Sequence, residues 1–188
     1  SFDASSRPVN LDEVLARLAA IGGSAAIVGR HGSGKTTLLW QLADALEAEG
    51  RRVVRVRLRH TRDIGRLLEA VAHVRRGGVV CVDSWERLGP LSSLAVTWCA
   101  RIMSAGLIVT AHRTGPLPTL WESITTPAVL GAVVHQLAHP AGMPAVIEGD
   151  VDEAFREASG NIREALFLLY DRFEDRARLV RPVCKAAS

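Results

Sequence analysis

"GRHGSGKTTLLW", residues 29–40, places Gly29, Gly32 and Gly34 between a short apolar run, SAAIVG at 24–29, and an apolar stretch of helical spacing that Gly50 stops. A buried strand, a glycine loop and a helix over 35–49 is the reading these residues support. The order repeats downstream. RVVRVRLR (52–59) alternates Val54, Val56 and Leu58 with Arg55, Arg57 and Arg59, as a strand at a sheet edge does. A helix is expected from Asp63 to Arg76, with Ile64, Leu67, Leu68, Val71 and Val74 inward and Gly77-Gly78 at its end. VVCVD (79–83) is apolar throughout up to its aspartate, the pattern of a central parallel strand buried on both faces. A helix over Leu91–Ala105, closed by Gly106, and a fourth strand, LIVTAH (107–112), follow. Upstream, Leu11–Ala20 reads as a helix with Leu11, Val14, Leu15 and Leu18 on one face and a capping box of Asn10 and Glu13.

Strand-helix alternation of this kind predicts an α/β fold with a mostly parallel sheet and crossover helices. Between residues 113 and 150 no fifth strand is legible, and helical spacing returns over 151–159 and 161–179. The expected organisation is a lead-in and helix at 1–22, a core at 23–140, a helical appendage at 141–182 and a tail at 183–188.

Composition narrows the classes. With 188 residues, 48% of them hydrophobic, the chain can bury one core and a small satellite. A net charge of +3 is only weak support for a nucleic-acid partner. Cys81, Cys99 and Cys184 are odd in number and have no metal-ligand spacing, against a disulfide framework or zinc site and in favour of a reducing cytoplasm. Residues 123–147 carry no charged side chain, but Pro127, His135, Gln136, His139, Pro140 and Pro144 make them a poor membrane span. No signal peptide is read, and a start at Ser1 rather than methionine suggests a processed product or a piece of a longer chain.

Gly29, Gly34, Lys35 and Thr36 satisfy G-x-x-x-x-G-K-[ST], the Walker A pattern of P-loop nucleoside triphosphatases, in the strand-to-helix context that pattern requires. The glycines let backbone N–H groups of residues 29–37 (Gly29, Arg30, His31, Gly32, Ser33, Gly34, Lys35, Thr36 and Thr37) face phosphate oxygens at the positive end of a helix. Lys35 would reach the β and γ phosphates of ATP, and the Thr36 hydroxyl would ligate magnesium. The chain has 21 arginines and two lysines, and one lysine stands at this position, where a compact ammonium fits and a planar guanidinium does not. Asp83, at the end of a buried strand, is the expected Walker B carboxylate that supports the metal through water.

The acid comes one strand later than the first strand after the P-loop helix, and in this the chain resembles the additional-strand division of P-loop proteins, which includes AAA+ and STAND ATPases. The resemblance covers about residues 20–175 and implies a three-layer α/β/α P-loop fold with a small C-terminal helical lid. DSWER (83–87) is similar to the D-x-x-[DE] Walker B of NACHT and KAP-type ATPases, which makes Glu86 the candidate for activating water. Most AAA+ proteins place that glutamate directly after the aspartate, where Ser84 stands here. LIVTAHRTG (107–115) falls where AAA+ proteins carry sensor 1, so Thr110 or His112 would face the γ-phosphate or the lytic water, and Arg113 is a candidate arginine finger. SGNIREALFLLYD (159–171) is similar to the lid segment that supplies the sensor-2 arginine, here Arg163. Arg163 sits in a first helical turn behind an Asn161–Glu164 capping pattern, where the helix dipole disfavours a cation by up to ~1 kcal/mol.

The resemblance implies a magnesium-dependent ATPase that couples nucleotide state to lid movement or to a regulatory protein, as a homo-oligomer or with another partner. Two alternatives stand beside it: a small-molecule kinase, and a nucleotide switch that binds without hydrolysis and displays Arg51, Arg52, Arg55, Arg57, Arg59 and Arg62 to a partner, nucleic acid included. No aromatic residue interleaves those arginines to stack a base, so a solvated edge strand is the plainer reading. Trp40 and Trp98 are expected in the core, and Trp85 near the nucleotide.

Overall fold

Alternate side chains along each strand enter opposite layers, and this period of two builds the sheet in a computed structural model that describes residues 8–74, 77–141 and 148–180, without side chains at 138–141, 148 and 177–180. The strands are β1 (Ser24–Gly29), β2 (Val53–Arg57), β3 (Val79–Asp83), β4 (Gly106–Ala111) and β5 (Thr119–Ser123). They form one sheet in the order β2-β3-β4-β1-β5, every neighbour parallel.

Ala25 and Ile27 of β1, Val79 and Cys81 of β3 and Ile108 of β4 face α1 (Leu11–Ala20) and α2 (Lys35–Ala48). Leu38, Leu39, Leu42 and Leu46 of α2 are fully buried there, each contributing about 1.5–3 kcal/mol. Ala26, Val28, Val80, Val82, Leu107 and Val109 point the other way, onto α3 (Ile64–Val74) and α4 (Pro90–Ile102). The β1–α2 and β3–β4 readings agree with the sequence within a residue or two. Asn10 caps α1 by accepting from the Asp12 N–H at 3.1 Å, one residue earlier than a capping box requires. The expected continuation of α3 to Arg76 falls partly outside the described residues.

One strand was not legible in the sequence, and two expectations need correction. A fifth strand exists: β5 pairs with β1 along 26–29, with a register shift between Ala26 and Ile27. Its five residues bury only Leu120 fully, so alternation has almost nothing to show, and Pro116 and Pro118 precede it. Trp98 is exposed because α4 buries Val96 and Ala100, which lie on another side of the helix; Trp40 is partly buried. The helix itself ends at Ile102, and Gly106 opens β4 instead of closing the helix.

The chain divides into two compact units, one of 8–30 with 34–123, the other of 31–33 with 124 onward. The division at Ser123–Ile124 differs from the boundary read at residue 140. Its cause is α5 (Pro127–Ala141), whose Val129, Leu130 and Val134 share a core with Val151 and Ala154 of α6 (Glu148–Glu157) and Ala165 and Leu169 of α7 (Ile162–Val180). Arg172 reaches Glu153 and Glu157 at 3.0 and 2.9 Å, and Arg176 reaches Asp150, tying α7 to α6. The tail expected at 183–188, Cys184 within it, and residues 1–7 lie outside the described residues.

Candidate functional site

β1 delivers Gly29 to the carboxyl end of the sheet, and the chain turns through two left-handed glycines, Gly32 (φ 70°) and Gly34 (φ 86°), before α2 begins at Lys35. A side chain at either position would strain the turn by roughly 1–2 kcal/mol. Arg30, His31 and Thr37 are exposed, and Lys35 is buried. Its ammonium donates to the Arg30 carbonyl oxygen. Burial lowers the Lys35 pKa, while the Glu86 and Asp83 carboxylates oppose that shift.

Asp83 ends β3 almost wholly buried, and every bond described for it has a purpose in holding it still. Its Oδ1 accepts from Thr36 Oγ1 and from Thr110 Oγ1, each at 2.9 Å. Its Oδ2 accepts from Arg57 Nε at 3.0 Å. Thr110 Oγ1 in turn accepts from the Ser84 N–H at 2.9 Å. Thr110 thus places Asp83 and the turn behind it. That turn is unusual, since Ser84 is a non-glycine residue in the left-handed region (φ 68°, ψ 47°). The bend carries the chain into a 3-10 turn, Trp85–Arg87, which buries Trp85 among the apolar residues of the α3 and α4 layer and leaves Glu86 partly exposed.

His112, one residue past β4, spans two of these elements: its Nδ1 is 3.2 Å from the Gly29 carbonyl oxygen and its Nε2 2.9 Å from Glu86 Oε1. Arg113 beside it is exposed. Within the first unit the structure therefore brings together Lys35, Thr36, Asp83, Glu86, Thr110 and His112. In the second unit Arg163 is exposed in the first turn of α7, behind an N-cap in which Asn161 Oδ1 accepts from the Glu164 N–H at 3.4 Å and Asn161 Nδ2 donates to Glu164 Oε2 at 3.1 Å.

Two partnerships were missed in the sequence. Arg57 lies directly across from Asp83 in the β2–β3 register, a pairing that needs the strand order before it can be seen. With its side chain 55% exposed, Arg57 contributes at most about 1 kcal/mol through this ion pair. The arginine stripe is correspondingly less free than the alternation suggests, since Arg55 also reaches Asp44 and Glu47 at 2.6 Å. The link from His112 to Glu86 spans 26 residues and leaves no local spacing signal.

The donor set suits magnesium. Thr36 and Asp83 present hard oxygen atoms to one point, as expected where phosphate and water complete the shell. Among the described residues no group of three or more His, Cys, Asp or Glu side chains is placed to hold a metal by itself.

The chain matches no protein-family model and no curated protein sequence. Solved structures do match. AMPPCP-bound DnaA from Aquifex aeolicus superposes with a TM-score of 0.56 at 14% identity, over 82% of this chain and 57% of that one. A RuvB point mutant from Thermotoga maritima gives 0.60 at 17%, over 92% and 65%. The replication initiator DnaA bound to AMPPCP and single-stranded DNA gives 0.58 at 14%, over 92% and 60%. The chain spans less than two thirds of the length of each. DnaA and RuvB are AAA+ P-loop ATPases, and the shared architecture identifies the fold of this chain as that of a P-loop NTPase.

Proposed function

We propose that the chain binds ATP with magnesium at its 29–37 loop and hydrolyses it, the nucleotide state being passed to the C-terminal helices or to a regulatory partner. The observation that carries this reading is the convergence of Lys35, Thr36 and Asp83 at the end of β1 and β3, with Thr36 and Asp83 in contact at 2.9 Å. Lys35 supplies positive charge for the β and γ phosphates, and the loop N–H groups cradle their oxygens. Magnesium would be held by Thr36 and, through water, by Asp83, and would supply positive charge against the charge developing on the phosphates.

Asp83 is the carboxylate suited to supporting the metal through water, because Thr110 and Arg57 fix its two oxygens. Glu86 is assigned the attacking water: its carboxylate takes the proton as the water oxygen bonds to the γ-phosphorus and the bond to the β-γ bridging oxygen breaks. His112 holds Glu86 toward Gly29, at the base of the loop. On the AAA+ resemblance Arg163 is assigned nucleotide sensing and Arg113 the role of an arginine finger, and the two described cysteines, both free thiols, fit a cytoplasmic protein. Among the described residues no helix is long and apolar enough to cross a membrane.

Binding is tested by titrating a fluorescent ATP analogue with and without magnesium. Wild type should bind in a magnesium-dependent manner, and Lys35→Ala should bind at least about tenfold more weakly while keeping its circular dichroism spectrum. Equal affinity in the two proteins would remove the loop from the account. Tight binding without turnover would instead favour the non-hydrolysing switch.

A further inference from the structure

We infer that the outer face of α4 and the groove beside it form a docking surface for an acidic amphipathic helix of a partner protein. The sheet-facing side of α4 is satisfied by Val96 and Ala100. On the other side Leu91, Leu94, Trp98 and Ile102 follow one another at spacings of three, four and four residues and are 82%, 49%, 57% and 72% exposed. Four large apolar side chains in one helical line contribute nothing to the core, and an apolar stripe of this kind is the usual mark of an interaction site.

The stripe borders a hollow. Leu94 and Trp98 wall a groove of about 650 Å³ that runs past the starts of β1 and β4, with Arg51 and Arg101 also lining it. A neighbouring hollow of about 860 Å³ shares Arg51 and adds Arg52 and Ile102. These hollows lie at the amino ends of the strands, whereas Gly29, Asp83 and Thr110 stand at the carboxyl ends, so the surface is separate from the nucleotide site.

Charge selects the occupant. The described lining of both hollows contains three arginines and no carboxylate. Arg51 donates to the Gly77 carbonyl oxygen through Nε and Nη2, at 3.2 and 3.1 Å, and Arg52 donates to the His73 carbonyl oxygen at 3.4 Å. Both guanidinium groups are held in place by neutral carbonyl acceptors, and among the described residues neither has an ion pair with a carboxylate. By contrast Arg55, Arg57, Arg172 and Arg176 all reach carboxylates. No residue of α4 is acidic. A helix with apolar anchors on one face and Asp or Glu at its margins matches both features, with the tryptophan and arginines as the strongest contributors. Nucleic acid would satisfy the arginines but gain nothing from Leu91, Leu94 and Ile102.

The test selects short randomised peptides displayed on phage against the immobilised chain, then measures recovered peptides by fluorescence anisotropy. Expected are sequences with apolar residues at helical spacing and Asp or Glu between them. Trp98→Ala and Arg101→Glu should each weaken them about tenfold or more, with melting temperature and ATP-analogue affinity unchanged. Recovery only of basic sequences, or of peptides indifferent to both variants, overturns the proposal. It also fails if Trp98→Ala abolishes self-association in sedimentation, which makes a second copy the occupant. Flotation with phosphatidylglycerol vesicles that Trp98→Ala abolishes would likewise replace the helix by a lipid surface.

Discussion

Replacing Thr110 by valine keeps the branch and removes only the hydroxyl, which isolates the two hydrogen bonds that fix the end of β3. One is donated to Asp83 Oδ1 at 2.9 Å, and a bond to a charged acceptor contributes about 1.5–3 kcal/mol. The other is accepted from the Ser84 N–H at 2.9 Å, and leaving that donor without a partner costs about 1–3 kcal/mol. The new methyl group recovers about 0.8 kcal/mol through burial. The net expectation is a loss of about 2–5 kcal/mol, which for a chain of this length lowers the melting temperature by roughly 4–20 °C. Thermal unfolding followed by circular dichroism reads the shift, with Thr110→Ser as the companion that keeps the hydroxyl and recovers most of the loss. If Thr110→Val melts within about a degree of wild type, the hydroxyl does not hold Asp83 and Ser84 at the end of β3.

Burial pushes the Cys81 thiol up to about 12, so at pH 8 only about one molecule in ten thousand carries the reactive thiolate there. Iodoacetamide should label Cys99 well before Cys81 in the folded chain, and peptide-resolved mass spectrometry showing equal rates would contradict the burial of β3. In the helical unit, hydrogen bonding from Arg176 holds the Asp150 carboxyl below its ordinary pKa. The clamp between α6 and α7 is therefore fully present above the ordinary carboxylate range and is lost as pH falls through the lowered value. Carboxyl NMR should show the Asp150 midpoint rising to the ordinary value in Arg176→Gln, and an unmoved midpoint would show that the pair does not set it.

The parts of the fold that sequence reading reached are those where local chemistry and global position agree. VVCVD is buried on both faces and reads as apolar throughout; the glycine loop needs left-handed residues, and glycine stands at 32 and 34. β2 alternates because it is an edge strand, and it proved to be one. β5 was illegible for the opposite reason, since an edge strand with one fully buried residue carries almost no pattern. Trp98 is apolar yet exposed because the α4 residues that enter the core are Val96 and Ala100, and residue type alone does not give the helix face. In the site, Lys35, Thr36 and Asp83 announce themselves by motif. Arg57 and His112 enter through strand order and strand ends, which exist only after folding.

Phosphate release from magnesium ATP, measured across a protein concentration series for wild type and Glu86→Gln, tests the central claim most directly. Turnover by wild type, with Glu86→Gln still binding the fluorescent analogue but releasing phosphate at least about a hundredfold more slowly, is the predicted result. Equal release by the two proteins, or binding without release at every concentration, would contradict it.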